Sequence, residues 1–256
     1  MGAMVARERG RGEGQIGYAL SMIVATEQDT WLFITQPDHA AFAAELLSLW
    51  RAEGVPDHVR RADLLFAVRE HDNGWREADA APRWDSERRR PHDFLTMPRA
   101  ARIEVWERGV SRFAGERPYA ALLITRHARR LHRDRRGDEE WAGLLETLDE
   151  LEQGLAEATG ATEEEIAADD RLLDRADTLS LAACSRWTDL FERNGVRARL
   201  RDGLLELDPF PLAGTTTFRI PCRRIAVRDY GGDAALGGQL VAARWGELTV
   251  RVGPLD

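Results

Sequence analysis

Lysine is missing from all 256 residues, so the 36 basic side chains are arginines. This excludes Schiff-base chemistry on lysine and phosphate loops of the Walker type, because both need a primary amine. Forked, two-point binding of phosphate or carboxylate by arginine stays open. Cysteine occurs twice, at Cys184 in a helical pattern and Cys222 in a strand pattern. Neither lies in a CxxC pair, which excludes a zinc ribbon. No apolar run approaches the ~20 residues of a membrane span, and the opening MGAMVARERGRGEG lacks the apolar core of a secretory leader. A cytoplasmic protein with reduced thiols and no membrane partner is the resulting expectation. Excess basic charge is lacking too. A formal net charge of −8 argues against a nucleic-acid partner.

What is present suits a globular chain. Hydrophobic residues make up 43% and charged residues 31%, a balance that can bury a core. Residues 1–15, rich in Gly and Arg, read as a flexible tail. In residues 16–36, SMIVAT and TWLFIT flank the polar Glu27-Gln28-Asp29, the pattern of a β-hairpin. From Asp38 the period becomes helical, and residues 37–193 read as one helical domain. Phe42, Leu46, Leu49 and Trp50 mark its first helix, and Asp63 to Glu70 the second. Residues 76–97, with Pro82 and Pro91, read as a long irregular loop. Helices follow around Ile103 to Val110, from Pro118 to about Leu131, and from Trp141 to Leu155. Thr162-Glu163-Glu164-Glu165 caps a last helix expected to run to Asn194-Gly195. Residues 194–256 then turn to strands: VRARLR, LLELDPF, TTTFRIPCRRIAV, QLVAARW and ELTVRV. The expected fold is mainly α (α+β): a helical bundle with an N-terminal hairpin and a small C-terminal β unit packed on the same domain, adjacent to the hairpin because strands need a partner sheet.

The chemical signal is a set of polar residues on stripes that ought to be apolar. His71 and Asp72 continue the stripe of Leu64 and Val68. His127 shares a stripe with Ala120 and Leu123. Asp177 lies among Ile166, Leu173, Ser180 and Cys184. His39 opens the first helix above Phe42 and Leu46. A carboxylate is rarely buried unless it is paired or bound to a metal. Imidazoles and carboxylates sent to one core suit a divalent transition metal, iron or manganese before zinc, as one ion or two. His92 and His132 are further candidates on less apolar positions.

The order His39, then His71-Asp72, then Asp177 resembles the HD-domain superfamily of helical, metal-dependent phosphohydrolases over residues 37–193. Arg175-Ala176-Asp177-Thr178-Leu179-Ser180 resembles that superfamily's closing aspartate helix. More narrowly, EHDNGW, PHDF, PYAALLITRH and DPFPL resemble the bacterial domain-of-unknown-function 3891 family, over most of the chain. The superfamily resemblance implies an HD-like bundle that binds metal through His39, His71, Asp72, Asp177 and His127. Many such proteins follow the HD pair with a phosphate-assisting lysine; here that position is Trp75. Arg69, Arg76 or Arg126 are the candidate substitutes, and Arg76 and Arg126 are the expected catalytic arginines. Trp75, Trp84 and Arg88 are the expected substrate contacts, on a loop that covers the metal. The expected activity is hydrolysis of a small, anionic, phosphorylated compound by a metal-activated water. A di-iron oxygenase acting on a small polar substrate and a non-catalytic binding module are the alternatives.

Overall fold

The computed structural model describes residues 22–255. The stretch read as a flexible tail lies outside them, as do the first residues assigned to the hairpin. Beyond that point the hairpin forms: β1 (Ile23–Glu27) pairs antiparallel with β2 (Thr30–Ile34). Helices follow as α1 (Gln36–Ser48), α2 (Arg61–Glu70), the single-turn α3 (Arg76–Asp79), α4 (Arg99–Ser111), α5 (Pro118–His132), α6 (Glu139–Thr159) and α7 (Glu163–Cys184). Between α3 and α4 sits a minimal ribbon, β3 (Trp84–Asp85) with β4 (Arg90–Pro91). The chain then forms β5 (Phe191–Arg193), β6 (Val196–Arg201), β7 (Leu204–Asp208), β8 (Thr216–Ala226), α8 (Asp233–Ala242) and β9 (Trp245–Pro254).

The expectation of a mainly α, HD-like helical bundle is wrong, although the C-terminal strands do lie beside the hairpin. β2 pairs antiparallel with β8, so the two ends of the chain make one seven-stranded sheet, ordered β1-β2-β8-β9-β7-β6-β5. All its pairings are antiparallel except β7 with β9. The architecture is α/β: helices laid on a sheet that supplies much of the core. The cause is strand alternation. Phe218, Ile220 and Cys222 of β8 turn inward while Arg219 and Pro221 face out. Together with Leu32 and Ile34 of β2 and Val250 and Val252 of β9, they form the floor under Phe42, Leu46 and Leu47 of α1 and Leu173 and Leu179 of α7. Leu and Ile side chains buried this completely contribute about 1.5–3 kcal/mol each.

Two boundaries also differ from the sequence reading. α7 stops at Cys184, with Arg186 left-handed at φ 63° just beyond it. Asn194-Gly195 does not cap that helix. Both residues have positive φ, 48° and 79°, and turn β5 into β6. Asn-Gly serves either purpose locally, and a tight hairpin demands two consecutive positive φ values. The segment QLVAARW is not a strand, since its first four residues belong to α8. There Leu236 and Leu240, one turn apart, cover Trp31, Phe33 and Ile225 on the opposite face of the sheet. Among the described residues no helix is long and apolar enough to cross a membrane.

The turn after α2 is fixed by contact between two backbones. A Cβ on Gly74 would stand 2.1 Å from the Val105 carbonyl oxygen, and one on Gly109 would stand 3.0 Å from the Gly74 amide nitrogen. Asn73 Nδ2 donates to the carbonyls of Glu70 (2.9 Å) and Gly109 (3.0 Å), closing the same joint. Gly74→Ala must force α4 away and is expected to cost about 1–3 kcal/mol in urea unfolding, as overpacking does. Gly143, inside α6 with nothing near its Cβ position, is the control: Gly143→Ala is expected to stabilise by roughly 0.5–1 kcal/mol.

Candidate metal centre

Each side chain of the centre is set by a local rule. Thr35 caps α1 by accepting the Asp38 amide, and Pro37 fits the first turn, which fixes His39 just inside the helix. His71 ends α2 and Asp72 begins the turn held by Gly74 and Asn73. Asp177 stands in the middle of α7, whose start carries a capping box between Thr162 and Glu165. His127 lies on α5. All five are buried. Their donor atoms form two overlapping groups, His39-His71-Asp72 and His71-His127-Asp177, each within 4.8 Å.

The hydrogen-bond partners orient the rings. His71 Nδ1 lies 2.7 Å from the Val68 carbonyl, which can only accept, so Nδ1 carries the hydrogen. Ser180 Oγ donates its one hydrogen to the Asp177 carbonyl at 2.9 Å. It therefore accepts from His39 Nδ1 at 2.7 Å. Both rings thus turn Nε2 inward, toward the carboxylates. His39 Nε2 is 2.9 Å from Asp72 Oδ2. His71 Nε2 is 3.4 Å from Asp72 Oδ2 and 3.3 Å from Asp177 Oδ1, close enough for charge attraction but aligned with neither as a hydrogen bond. Two carboxylates facing one imidazole nitrogen repel each other unless a positive charge lies among them.

These residues fit a metal ion. Donors held at about 2.1 Å from one ion stand roughly 2.9–3.4 Å apart at octahedral to tetrahedral angles, which matches these separations. Tying the far ring nitrogen to a carbonyl or hydroxyl is also how ligand histidines are oriented. The two histidine side chains are 0% exposed, whereas Asp72 and Asp177 retain 10% and 7%. Any open coordination position therefore lies on the carboxylate side.

A proton takes the cation's part when no ion is bound. Burial opposes charge on His71 most strongly, yet Asp72 and Asp177 outweigh it and raise its pKa well above the ordinary 6.5. Burial likewise penalises the two carboxylates, but His71 pulls both below the usual range.

His127 is built differently. Arg130 Nη2 donates to its Nδ1 at 3.0 Å, and a guanidinium only donates, so the hydrogen of this ring sits on Nε2. Burial first, then the charges of His71 and Arg130, hold it neutral, with a pKa well below 6.5. Arg130 is locked in turn by Asp170 and Asp174, and Asp174 also accepts from Arg193 and Asn194. His127 becomes a ligand through Nε2 only if that hydrogen leaves.

The other expected site residues are not gathered here. Arg76 pairs with Glu70, Arg88 with Asp85, and Arg126 with Glu152 and Glu163. Trp75 packs against Trp106 in an apolar cluster with Val105 and Leu144. Trp84 packs edge-on to Trp31 and Tyr230 beneath α8. His92 meets Thr96 in its own turn. His132 sits between Trp106 and Trp141, its pKa driven down to about 4 by burial and by Arg102 and Arg135. Sequence reading missed Arg130, one turn after His127, although its spacing of three residues was the available signal.

Residues 22–227 match the family described as protein of unknown function (DUF3891). Comparison with curated proteins and with solved structures finds no match.

The His71 proton makes the metal-free protein sensitive to pH. A pKa raised by folding gives stability that is complete below the unfolded value of 6.5 and is lost as pH rises through the folded value. Chelator-treated protein is therefore expected to melt at lower temperature as pH climbs from about 6 to about 9, with His71→Gln flattening that slope. Calorimetry across that range checks it, and equal slopes in both proteins would count against the assignment.

Proposed function

The chain belongs to the DUF3891 family, and we propose that it is a metal-dependent hydrolase acting on a small, anionic, phosphorylated compound. The observation that carries this reading is the pair of anchored imidazoles: His39 and His71 each commit Nδ1–H outward and offer Nε2 to Asp72 and Asp177. In this reading His39, His71 and Asp72, one of the two three-residue groups, hold one divalent ion, iron or manganese, with Asp177 beside His71. When bound, the ion supplies Lewis acidity and lowers the pKa of water to near neutrality, so hydroxide becomes available as nucleophile.

The chain's own residues supply the rest. His127 keeps the Nε2 hydrogen that Arg130 fixes and would offer it as a hydrogen bond to an oxygen of the substrate, stabilising negative charge there. Burial of the histidines excludes water from the protein side of the ion. Because Arg76, Arg88 and Arg126 are engaged by carboxylates, the anionic group of the substrate is drawn mainly by the ion.

One ion is favoured over two. The two candidate groups share His71. Its Nδ1 is committed to Val68, so Nε2 is its single lone pair and serves one ion. A di-iron oxygenase would need further ligands.

Protein purified without chelator is expected to hold about one iron or manganese per chain by elemental analysis. His71→Ala and Asp72→Ala should each release it with helicity retained by circular dichroism. Metal-dependent hydrolysis of p-nitrophenyl phosphate should then fall at least about a hundredfold. Two irons per chain would favour the oxygenase, and an intact protein with no metal affinity would favour a binding module. A second variant tests this hydrogen-bond donor. Arg130→Met should retain metal but lower kcat by about ten- to a hundredfold with KM little changed; an unchanged kcat removes His127 from the reaction.

A further inference from the structure

Asp174 is a buried carboxylate that the metal centre does not use. It is 4% exposed and stands on α7 one turn before Asp177. An acid this deep needs strong partners, and it has four donors. Arg193 grips it in a fork, Nε to Oδ2 and Nη2 to Oδ1, each at 2.6 Å. Asn194 Nδ2 donates to Oδ2 at 2.7 Å, and Arg130 Nη1 donates to Oδ1. Arg193 and Asn194 belong to the tight turn between β5 and β6, so the sheet anchors the carboxylate from one side. α5 meets it from the other.

The helical repeat brings this tie to the centre. His127 and Arg130 are three residues apart on α5, as Asp174 and Asp177 are on α7, so each pair shares a face. Donor atoms of His127 and Asp177 lie within 4.8 Å of each other, and Arg130 bonds Asp174. The ladder that runs forward on α5 therefore runs back on α7. All three nitrogens of the Arg130 guanidinium are engaged: Nε with Asp170 at 3.2 Å, Nη1 with Asp174, and Nη2 with His127 Nδ1 at 3.0 Å. A planar fork held at two corners has its third direction fixed. With Arg130 so held, a hydrogen on His127 Nδ1 would set two N–H groups against each other in the core.

We propose that Asp174 is the positioning residue that keeps His127 a hydrogen-bond donor and out of the ligand set. It holds Arg130 against Nδ1, which leaves the ring hydrogen on Nε2. The tautomer stands on these contacts alone, and its consequence for the ion rests on the metal reading. In that reading His71 belongs to both candidate groups, and His127 decides between them. With a hydrogen on its Nε2, the group His71-His127-Asp177 is short of a donor, and the ion goes to His39, His71 and Asp72. Without the Asp174 charge, the guanidinium groups of Arg130 and Arg193 converge on nothing negative and repel. Arg130 then withdraws, Nδ1 takes the hydrogen, and Nε2 becomes free for an ion.

The test reads the tautomer directly. Nitrogen NMR on the metal-free full chain with isotope-labelled histidine, near neutral pH, separates N–H from bare ring nitrogens, and His127→Gln identifies the His127 signals. In the unaltered chain Nε2 is expected to carry the hydrogen. In Asp174→Asn the ratio of Nε2–H to Nδ1–H should fall at least about tenfold, the shift expected for loss of one buried charge-assisted hydrogen bond. Asp174→Glu keeps the charge and should keep the tautomer. A loosened fold would disturb every histidine, whereas His39 and His71 should keep their signals in Asp174→Asn. Should that variant fail to fold, the double variant Asp174→Asn with Arg193→Gln removes the unpaired cation and carries the same expectation. Zinc(II) alone is then added as the probe ion. It should shift His39 and His71 in the unaltered chain and reach His127 Nε2 only in the Asn variant. A bare Nε2 on His127 in the unaltered chain overturns the proposal, and so does a tautomer that the loss of the Asp174 charge leaves unmoved. Zinc bound by His127 in the unaltered chain overturns it as well. Zinc that binds neither protein refutes the metal reading alone, and the tautomer still decides the role of Asp174.

Discussion

Two carboxylates, on Asp72 and Asp177, stand within 3.4 Å of the same imidazole nitrogen inside a dry core. Like charges this close and this deeply buried are tolerable only around a positive charge. A proton on His71 supplies it in the metal-free state, and a divalent ion carries more of it. The centre is thus a place where the fold tolerates an incomplete charge balance. The rigid joint between Gly74 and Gly109, the Val68 carbonyl and the Ser180 hydroxyl all hold that arrangement in place.

The sheet makes this strain affordable. α1 and α7, which carry His39 and Asp177, are each pinned by large apolar side chains to the same floor of β2, β8 and β9. A layer held by that much buried surface can accommodate a few costly polar groups at its centre. Asp174 adds an electrostatic tie, since Arg130, Arg193 and Asn194 converge on it and join α5, α7 and the β5–β6 turn.

Much of the centre was legible because a helix repeats every 3.6 residues. His71 and Asp72 beyond Leu64 and Val68, and Asp177 beside Leu173, stand out as polar residues where the period requires apolar ones, and they meet in space. Helix positions were readable for the same reason. What sequence did not show is what depends on partners far along the chain. The C-terminal strands were expected beside the hairpin, but no local pattern says that β2 pairs with β8 in one seven-stranded sheet, and the fold class came out wrong. Arg130 meets Asp174 across 44 residues, so that tie had no local signature. Asn194-Gly195 failed for another reason: the same dipeptide ends helices and turns hairpins, and only the neighbouring strands decide between them.

The pairing of Thr30 with Ala226 has a consequence for how the molecule is made. At ribosomal rates of about 5–20 residues per second, roughly 10–40 seconds pass between synthesis of β2 and arrival of its neighbour. During that interval the hairpin has an open edge with Trp31, Leu32, Phe33 and Ile34 in a row, a template for pairing with other chains. α1, emerging directly after β2, can shelter one face of it early. The hydrogen-bonding edge itself has no cover until β8 is made, so nascent chains halted within the helical segment are the form of this protein most exposed to aggregation and most in need of chaperones.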